Sequence, residues 1–192
     1  CTQIMPDYKI QLVLWKNQYD WCKPYIKEFN NAIDIGCDTF GFARWMENDF
    51  NHIYCFDFRN KRRFLKKEVK DTSKFTYFIT GLGETKSIRM TNPNVGRIKG
   101  TGNLKVNIET LDSFNLKQID FIKLDVEAYE EKILRGGINT IQKYKPTLVI
   151  EQNKGDFSAQ KLVESWGYKL IDVWNGGTFV NKPNDYLFRY NL

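Results

Sequence analysis

The sequence predicts an α/β fold in which a mostly parallel sheet carries helices on both faces. Short apolar runs with strand character alternate with amphipathic helical stretches along most of the chain, a pattern typical of parallel sheets. The chain has 192 residues, of which 42% are hydrophobic, enough for one ordinary core. It contains no internal repeat and no long linker rich in proline, glycine or serine. We therefore expect a single domain over residues 1–192, with an N-terminal helical segment at 1–30 and a sheet-containing core at 31–192.

The first half of the chain supplies a leading helix and three strands, each bounded by a change in hydrophobic periodicity. Residues 6–29 have helical character, and Pro24 is expected to break that helix because proline lacks an amide hydrogen. The elements expected next, in order, are a strand at 31–36, a helix at 42–49, a strand at 52–58, a basic helix within 59–70, and a strand at 74–83 that runs into a glycine-bearing loop.

The second half is expected to complete the sheet and to end in an antiparallel hairpin. Between residues 84 and 110 the pattern is weaker, with extended pieces at 86–90 and 104–114 around the polar loop 91–103. The remaining expected elements are a strand at 119–126, a helix at 130–144 with paired glycines, a strand at 145–153, a helix at 158–167 ended by glycine, and a hairpin of 168–174 and 185–192 around an NGG loop. Together these elements predict a seven-stranded sheet with one reversed strand.

Hydropathy and charge exclude some classes of protein. No apolar run approaches the roughly 20 residues needed to cross a bilayer, and the start lacks a basic region followed by an apolar block. We expect a soluble, cytoplasmic protein with no membrane contact and no secretory signal. The formal charge of +6 favours anionic partners only weakly, because much of it lies in residues 59–70. That stretch is interpreted as the solvated face of a helix, with a phosphate-contacting patch as the alternative.

The cysteines and the single histidine form no metal-binding pattern. Cys1, Cys22, Cys37 and Cys55 are widely spaced without a CxxC pair, and His52 is the one histidine of the chain. We therefore expect no metal site. We also expect reduced thiols, with Cys37 and Cys55 acting as small buried apolar residues.

The stretch AIDIGCDTFGFARWM, residues 32–46, is typical of a strand that delivers the chain into a ligand-binding turn. Gly36 lets the backbone approach a ligand without a Cβ in the way. Asp57 lies about 20 positions further on, at the end of the second expected strand, where an acid can accept hydrogen bonds from a ribose. Ligands of parallel sheets bind beyond the carboxyl ends of the strands. The turn and the acid therefore indicate a nucleoside-containing cofactor.

The residues that this turn lacks narrow the choice of cofactor. It has neither the G-x-G-x-x-G pattern that cradles a pyrophosphate nor the G-x-x-x-x-G-K pattern that holds a triphosphate. Asp34 precedes the glycine instead, and an aspartate suits a cationic ligand better than a phosphate. S-adenosylmethionine, with an ammonium, a sulfonium and a ribose, meets these requirements. The alternative is a plain strand-to-helix turn that holds no ligand.

A longer motif follows in the second half: a strand ending in K-x-D-x-E, a helix closing in L-x-G, and a strand after proline that ends in an acid. Its residues are Lys123, Asp125, Glu127, Glu130, Leu134, Gly136, Pro146 and Glu151. This motif resembles the FkbM family of S-adenosylmethionine-dependent methyltransferases, whose pattern reads K-x-D-x-E-G-x-E. The resemblance runs from residue 31 to 170 and implies a Rossmann-like class I methyltransferase fold. It also implies O-methylation of a sugar, a glycan or another small molecule.

Strand positions and this resemblance together assign the candidate site residues. Asp125 and Glu127 are the catalytic candidates, because they alternate by two and share a face if the strand continues that far. A carboxylate there can orient an acceptor hydroxyl or take its proton. A buried Asp125 needs a partner, which Lys123 supplies only on a regular strand. Helix capping is the alternative role for Glu127 and for Glu130. The cofactor-binding candidates are Asp34, Gly36, Asp38, Asp57, Phe58, Gly81 and Leu82.

The chain departs from the family pattern at three places. The family's first turn reads D-x-G-x-N-x-G, whereas here Asp38 replaces the asparagine and Phe40 the second glycine. Either this turn has an extra residue or the phenyl ring crowds the cofactor. Asp57 and Phe58 stand where the family has a Glu-Pro pair, and Ala128 replaces the glycine of K-x-D-x-E-G. The alanine is harmful only if its backbone needs a positive φ angle.

Two other functions stay open on the sequence alone. A degenerate cofactor turn would leave a catalytically impaired binding module, and it predicts that Phe40→Gly strengthens cofactor affinity. Methylation of nucleic acid is suggested by the basic helix, but it is not favoured because no K-D-K-E tetrad is apparent. The sequence identifies neither the acceptor nor the oligomeric state.

Overall fold

The computed structural model describes residues 8–92, 98, 100–152, 155–176 and 184–191. Its strands are β1 (Asn31–Ile35), β2 (His52–Asp57), β3 (Phe75–Ile79), β4 (Gly81–Leu82), β5 (Ser87–Thr91), β6 (Leu104–Glu109), β7 (Ile119–Leu124), β8 (Thr147–Gln152), β9 (Tyr168–Trp174) and β10 (Asn184–Tyr190). Its α-helices are α1 (Tyr8–Cys22), α2 (Ala43–Met46), α3 (Arg62–Glu68), α4 (Glu130–Gly136), α5 (Ile138–Tyr144) and α6 (Ser158–Ser165). Short 3-10 helices lie at Lys23–Tyr25, Thr72–Lys74 and Leu111–Phe114.

Seven strands form one sheet in the order β3-β2-β1-β7-β8-β10-β9. The first five strands in this order, β3, β2, β1, β7 and β8, are parallel to their neighbours. β10 runs antiparallel to both β8 and β9. The predicted seven-stranded, mostly parallel sheet with a C-terminal hairpin is therefore confirmed. Strand order reverses at the β1–β7 pair, because the chain first moves outward from β1 to β3 and then returns to β7. The carboxyl ends of β1, β2 and β7 meet at this switch point.

Both faces of the sheet are buried under helices, as parallel strands require. On one face, Ala32 and Phe121 join a hydrophobic cluster with residues of α1 and α2. On the other face, Ile33 and Ile122 join a cluster with residues of α4, α5 and α6. Consecutive residues of a strand thus serve opposite clusters, which is the period-two alternation of a pleated strand.

The described part of the N-terminal segment contains the helix α1, which ends before a proline. α1 ends at Cys22, and Pro24 lies in the 3-10 helix that follows. Trp21 Nε1 of α1 donates a hydrogen bond of 2.9 Å to Asp172 Oδ2 on β9. Among the helices described, none combines the length and the apolar character needed to span a bilayer.

Two elements of the first half differ from the expectation. The strand expected at 74–83 is two strands, because β3 ends at Ile79 and β4 belongs to a separate three-stranded sheet of order β4-β6-β5. The helix expected at 42–49 is a single turn, Ala43–Met46. Residues 93–97 and 99 of the loop expected at 91–103, and part of the NGG loop, lie outside the described residues.

The helix expected at 130–144 is divided into α4 and α5 by its paired glycines. A Cβ on Gly136 would lie 2.0 Å from the carbonyl oxygen of Gly83, and one on Gly137 would lie 2.8 Å from Leu111 Cδ2. Gly136 is therefore restricted to glycine by the approach of neighbouring backbone, whereas a larger residue at Gly137 would require the Leu111 side chain to move. This contact brings the second sheet against the end of α4.

Candidate functional site

The face of the main sheet that packs on α1 and α2 changes from apolar to charged at one edge. Residues two positions apart on a strand share a face, so Asp34 follows Ala32 there, as Lys123 follows Phe121. Asp34 lies opposite Lys123 in the β1–β7 ladder. Glu151 on β8 lies on the same edge, beside the switch point. These side chains meet at the carboxyl ends of parallel strands, where a ligand of this fold is expected.

Asp34 is the most deeply buried acid of this edge. Its side chain is 1% exposed, and its Oδ2 atom has no hydrogen-bond partner among the described residues. Burial raises the pKa of Asp34 from 3.8 to about 7; the Lys123 charge opposes this shift, whereas Asp125 and Asp57 add to it. A cationic group placed beside this carboxylate would stabilise its charged form.

Lys123 is the partner of Asp125. Its Nζ atom lies 2.7 Å from Asp125 Oδ2, and the lysine side chain is 3% exposed whereas that of Asp125 is 34% exposed. Burial lowers the pKa of Lys123, but Asp125, Asp185 and Asp34 together raise it above its ordinary value. The lysine therefore stays charged. Its ammonium group holds Asp125, whose carboxylate reaches the surface.

Glu151 completes the group around Asp125. Its carboxyl group is within hydrogen-bonding reach of Asp125, and burial followed by the Asp125 charge raises the pKa of Glu151 well above 4.5. Asp185 of β10 lies opposite Glu151 in the antiparallel ladder. Four acids, Asp34, Asp125, Glu151 and Asp185, thus act electrostatically on Lys123 or on its partner. Sequence reasoning named Glu151 only as a motif residue and did not place it in the site.

Asp125 and Glu127 do not share a strand face, so that expectation is wrong. β7 ends at Leu124, and Glu127 is an exposed residue of the following turn with φ of 56°. Glu130 holds this turn, because its Oε1 accepts hydrogen bonds from the amides of Val126 (3.2 Å) and Ala128 (3.3 Å). Glu130 therefore stabilises the turn before α4 from the first turn of that helix, where its negative charge also suits the helix dipole. Glu127 does not cap the helix.

Two of the left-handed residues in these turns, Gly36 and Ala128, lie where the family pattern has glycine. Gly36 has φ of 86°, and a Cβ there would lie 1.8 Å from the carbonyl oxygen of Asp125. The glycine is therefore required first by contact between the β1 and β7 exits, which differs from the ligand-approach reason expected from sequence. Ala128 has φ of 71°, the conformation in which the replacement of the family's glycine is unfavourable.

Asp57, the predicted ribose acid, is already fully engaged at the end of β2. Its Oδ1 accepts hydrogen bonds from Arg59 N (2.8 Å) and Nε (3.0 Å), and its Oδ2 accepts from Arg59 Nη2 (2.8 Å) and Asp38 N (3.2 Å). Such a bidentate guanidinium contact is among the stronger side-chain pairs. The sequence analysis did not identify Arg59 as a partner of Asp57. The available signal was that Arg59 follows this acid by two positions, just after the end of β2.

The other predicted residues of this corner surround the same arginine. Asp38 Oδ1 lies 3.1 Å from Arg59 Nη2 and 3.0 Å from Lys61 Nζ, and Asp38 has φ of 38°. The half-buried Phe58 ring lies 5.4 Å from the Arg59 guanidinium carbon. Asp38, Asp57 and Phe58 thus lie together in the structure. Two cations that were not predicted, Arg59 and Lys61, contact this group.

Phe40 does not line an open crevice. The residue has φ of 62°, but its ring is completely buried in the hydrophobic cluster under α1 and α2. It packs edge-to-face on Tyr77, with 5.0 Å between ring centroids. The suggestion that the ring crowds the cofactor is therefore wrong, because the left-handed backbone turns the side chain into the core.

Gly81 and Leu82 form β4 and lie outside the main sheet. Leu82 is 4% exposed and belongs to the core cluster beneath α4 and α5, so only its backbone could face a ligand. A Cβ on Gly81 would lie 2.6 Å from Ile108 Cδ1. The position of both residues is explained by packing against β6.

The basic helix and the cysteines show ordinary packing. On α3, Phe64 and Leu65 contact the core while Arg62, Arg63, Lys66 and Lys67 are exposed, the arrangement expected of a solvated helix face. Cys22, Cys37 and Cys55 are free thiols and are buried. Among the described residues, no three histidine, cysteine or acidic side chains are grouped as metal ligands would be.

A family model described as the methyltransferase FkbM domain matches residues 29–171 of this sequence. The chain belongs to the FkbM methyltransferase family. The matched region contains every site residue predicted above, including the catalytic candidates Asp125 and Glu127. No curated protein sequence matches the chain significantly.

Solved methyltransferase structures share the fold of this FkbM domain at low sequence identity. Methyltransferase FkbM from Methylobacillus flagellatus superposes with a TM-score of 0.62 at 15% identity, covering 83% of this chain but 43% of that one. The chain thus spans less than half of that protein. Magnesium protoporphyrin IX methyltransferase from Synechocystis with bound SAM has a TM-score of 0.59 at 9% identity, covering 95% and 81% of the two chains. TrmK from M. capricolum, in complex with S-adenosyl-homocysteine, has a TM-score of 0.56 at 14% identity, covering 97% and 70%.

Proposed function

We propose that this FkbM domain transfers a methyl group from S-adenosylmethionine to a hydroxyl group of a sugar, a glycan or another small molecule. The observation that carries the proposal is the buried Asp34 carboxylate, whose Oδ2 lacks a partner among the described residues. It lies at the carboxyl end of β1, beside an edge that holds more acids than cations. A ligand that brings an ammonium and a sulfonium would offset this excess of negative charge.

The residues at the switch point fit such a cofactor with one exception. Asp34 would hold the cationic amino-acid portion, and Phe58 would pack against the adenine. Asp57 would accept the ribose hydroxyls only after Arg59 leaves it, since both carboxylate oxygens are engaged. The backbone of Gly81 and Leu82 would line the remaining side of the site.

Asp125 is the candidate for handling the acceptor hydroxyl. When bound, S-adenosylmethionine supplies an electrophilic methyl group. Asp125 would accept a hydrogen bond from the acceptor hydroxyl and take its proton as the new carbon–oxygen bond forms. Lys123 fixes the other side of the carboxylate at 2.7 Å. Glu127, exposed on its turn, would contact the acceptor from the solvent side.

Calorimetry with S-adenosylmethionine and S-adenosylhomocysteine tests the cofactor. We expect saturable binding by the wild type and an affinity lower by about tenfold or more in Asp34→Asn, because a charged contact is lost. Glu28→Gln, a change at an exposed residue, serves as the matched control and should bind normally. Absence of binding heat in the wild type over a range of salt and pH would refute the proposal. Transfer of a labelled methyl group to a panel of glycans and small alcohols then tests the acceptor class.

A binding module with an impaired cofactor turn is the second candidate, and the Arg59 contact favours it because it occupies Asp57, the expected ribose acid. Absent cofactor binding, or cofactor binding without methyl transfer to any acceptor, would support this function. Nucleic-acid methylation rests on the exposed cations of α3 alone. A gel-shift assay without salt-sensitive binding of RNA or DNA would remove it.

A further inference from the structure

Asp125 is held from two sides by residues of different strands. Lys123 of β7 contacts its Oδ2 at 2.7 Å. Glu151 of β8 approaches it from the neighbouring strand, with its carboxyl group in hydrogen-bonding reach. Lys123 and Glu151 are themselves fixed by the sheet, because both lie in regular, paired strand segments. The catalytic candidate beyond the end of β7 is therefore positioned by two residues inside the ladder.

The charges that face this group come from four strands. β1 contributes Asp34, β7 contributes Lys123 and is followed directly by Asp125, β8 contributes Glu151, and β10 contributes Asp185. From α1, the buried Cys22 thiol is nearby, and burial raises its pKa so that it stays neutral. Among the described residues named here, one ammonium, that of Lys123, faces four carboxyl groups. Two carboxyl groups in direct contact cannot both be ionised without strong repulsion.

One proton shared between Glu151 and Asp125 removes this repulsion. Glu151 is the member that keeps it, for two structural reasons. Asp125 has the ammonium of Lys123 on its Oδ2 and a 34% exposed side chain, and both favour the carboxylate. Glu151 is half-buried and lies opposite another acid, Asp185, and both favour the carboxylic acid. Burial and the Asp125 charge accordingly raise the pKa of Glu151.

We propose that Glu151 is a positioning residue of the methyl-transfer site: as a neutral carboxylic acid it donates a hydrogen bond to Asp125 and turns that carboxylate toward the acceptor. The proposal deepens the methyltransferase function given above and rests on it. Glu151 donates and Lys123 binds Oδ2, so the remaining lone pairs of Asp125 are left for the acceptor hydroxyl. Glu151 itself does not touch the reacting atoms.

The protonation of Glu151 is tested without any cofactor, by urea unfolding at several pH values. A folded-state pKa above the unfolded value of 4.5 means that the folded state binds the extra proton. Stability from this group is complete below pH 4.5 and is lost as the pH rises through the folded-state pKa. We expect the folded-to-unfolded ratio of the wild type, relative to Glu151→Gln, to fall by up to about tenfold per pH unit between roughly pH 5.5 and 7.5.

Glu28→Gln is the control for this series, because Glu28 is exposed, and its pH dependence should match that of the wild type. In an Asp125→Asn background, adding Glu151→Gln should change the pH dependence of unfolding less than it does in the wild type. The reason is that the Asp125 anion, which stabilises the proton on Glu151, is gone. Identical pH dependence of wild type and Glu151→Gln would overturn the proposal. If either variant fails to fold, carbon-13 NMR of glutamate-labelled wild type decides: a carboxyl that titrates near pH 4.5 at every glutamate contradicts the proposal.

Activity separates positioning from simple packing. We expect the wild-type kcat to decline at alkaline pH, because Glu151 then loses the proton that it donates to Asp125. A glutamine side chain donates a hydrogen bond at every pH, so Glu151→Gln should keep kcat within about threefold and lose this decline. Glu151→Leu cannot donate, and kcat should fall by about tenfold or more while KM for the cofactor changes little. Equal loss in both variants would contradict a hydrogen-bonding role. Absence of cofactor binding in the wild type would refute the methyltransferase function, and the unfolding series would still decide the state of Glu151.

Discussion

Arg59 closes over Asp57 and occupies the carboxylate that the sequence pattern assigns to a ribose. The guanidinium donates from Nε at 3.0 Å and from Nη2 at 2.8 Å, and the Arg59 amide adds a third contact at 2.8 Å. A ribose that binds Asp57 has to replace at least the two guanidinium bonds. The arginine thus competes with the ligand for one acid.

Replacing this arginine tests the competition. We expect Arg59→Gln to raise the affinity for S-adenosylmethionine by about tenfold, because hydrogen bonds to charged groups contribute roughly 1.5–3 kcal/mol. Arg62→Gln removes the same charge from an exposed position of α3 and should leave the dissociation constant unchanged. Calorimetry at one salt concentration measures both. A weaker complex of Arg59→Gln would mean that the guanidinium contacts the ligand, contrary to this expectation.

Cofactor affinity should depend on pH through Asp34. Its pKa is raised by burial to about 7, so the carboxylate that attracts a cation is lost as the pH falls below that value. We expect the dissociation constant to rise by up to about tenfold between pH 7 and 6. In Asp34→Asn binding should be weaker and nearly independent of pH over this range. A wild-type affinity that is flat from pH 6 to 8 would contradict the assignment.

The same raised pKa has a consequence for the unliganded protein. Since the folded state holds the proton more tightly than the unfolded chain, stability from Asp34 is complete below pH 3.8 and is lost as the pH rises through about 7. Unfolding of Asp34→Asn should therefore be less sensitive to pH in this window than unfolding of the wild type. Glu28→Gln again provides the control.

Phe40→Gly should destabilise the protein and leave cofactor affinity no stronger. Its ring is fully buried against Tyr77, and loss of a buried phenyl group costs about 3–5 kcal/mol. Relief of the left-handed backbone returns only about 1–2 kcal/mol. Urea unfolding should thus show a net loss of about 1–4 kcal/mol. A gain in affinity with unchanged stability would restore the view that the ring crowds the cofactor.

Ala128→Gly should stabilise the protein slightly. Ala128 is exposed and has φ of 71°, and a left-handed alanine costs about 1–2 kcal/mol. The greater flexibility of glycine in the unfolded chain offsets part of this, so we expect a net gain of about 0.5 kcal/mol in the free energy of unfolding. Ala159→Gly, within α6, should instead lose about 1 kcal/mol or more. Destabilisation of both variants would argue against a strained turn.

Most of the fold could be predicted from periodicity and turn residues. Alternation and apolar runs placed β1, β2, β3, β7 and β8 within a few residues, and the reversed strand followed from the terminal hairpin. Glycine and proline marked the ends of α1 and α6 correctly. The division at Gly137 and the second sheet escaped prediction, because both depend on contacts between segments distant in the sequence.

The sequence predicted the positions of the site acids, whereas their hydrogen-bond and ion-pair partners are visible only in the folded structure. Local pattern is enough to place Asp34, Asp57 and Asp125 at strand ends, because hydrogen-bonded ladders force side chains to alternate. Beyond a strand end this constraint disappears, and turn conformation and competing charges choose the partners. That is why Glu127 lies on an exposed turn instead of on the strand face, why Arg59 holds Asp57, and why Glu151 from another strand contacts Asp125. Order along the chain is set by local backbone preferences, whereas the protonation and contacts of buried acids depend on which charges the fold brings together.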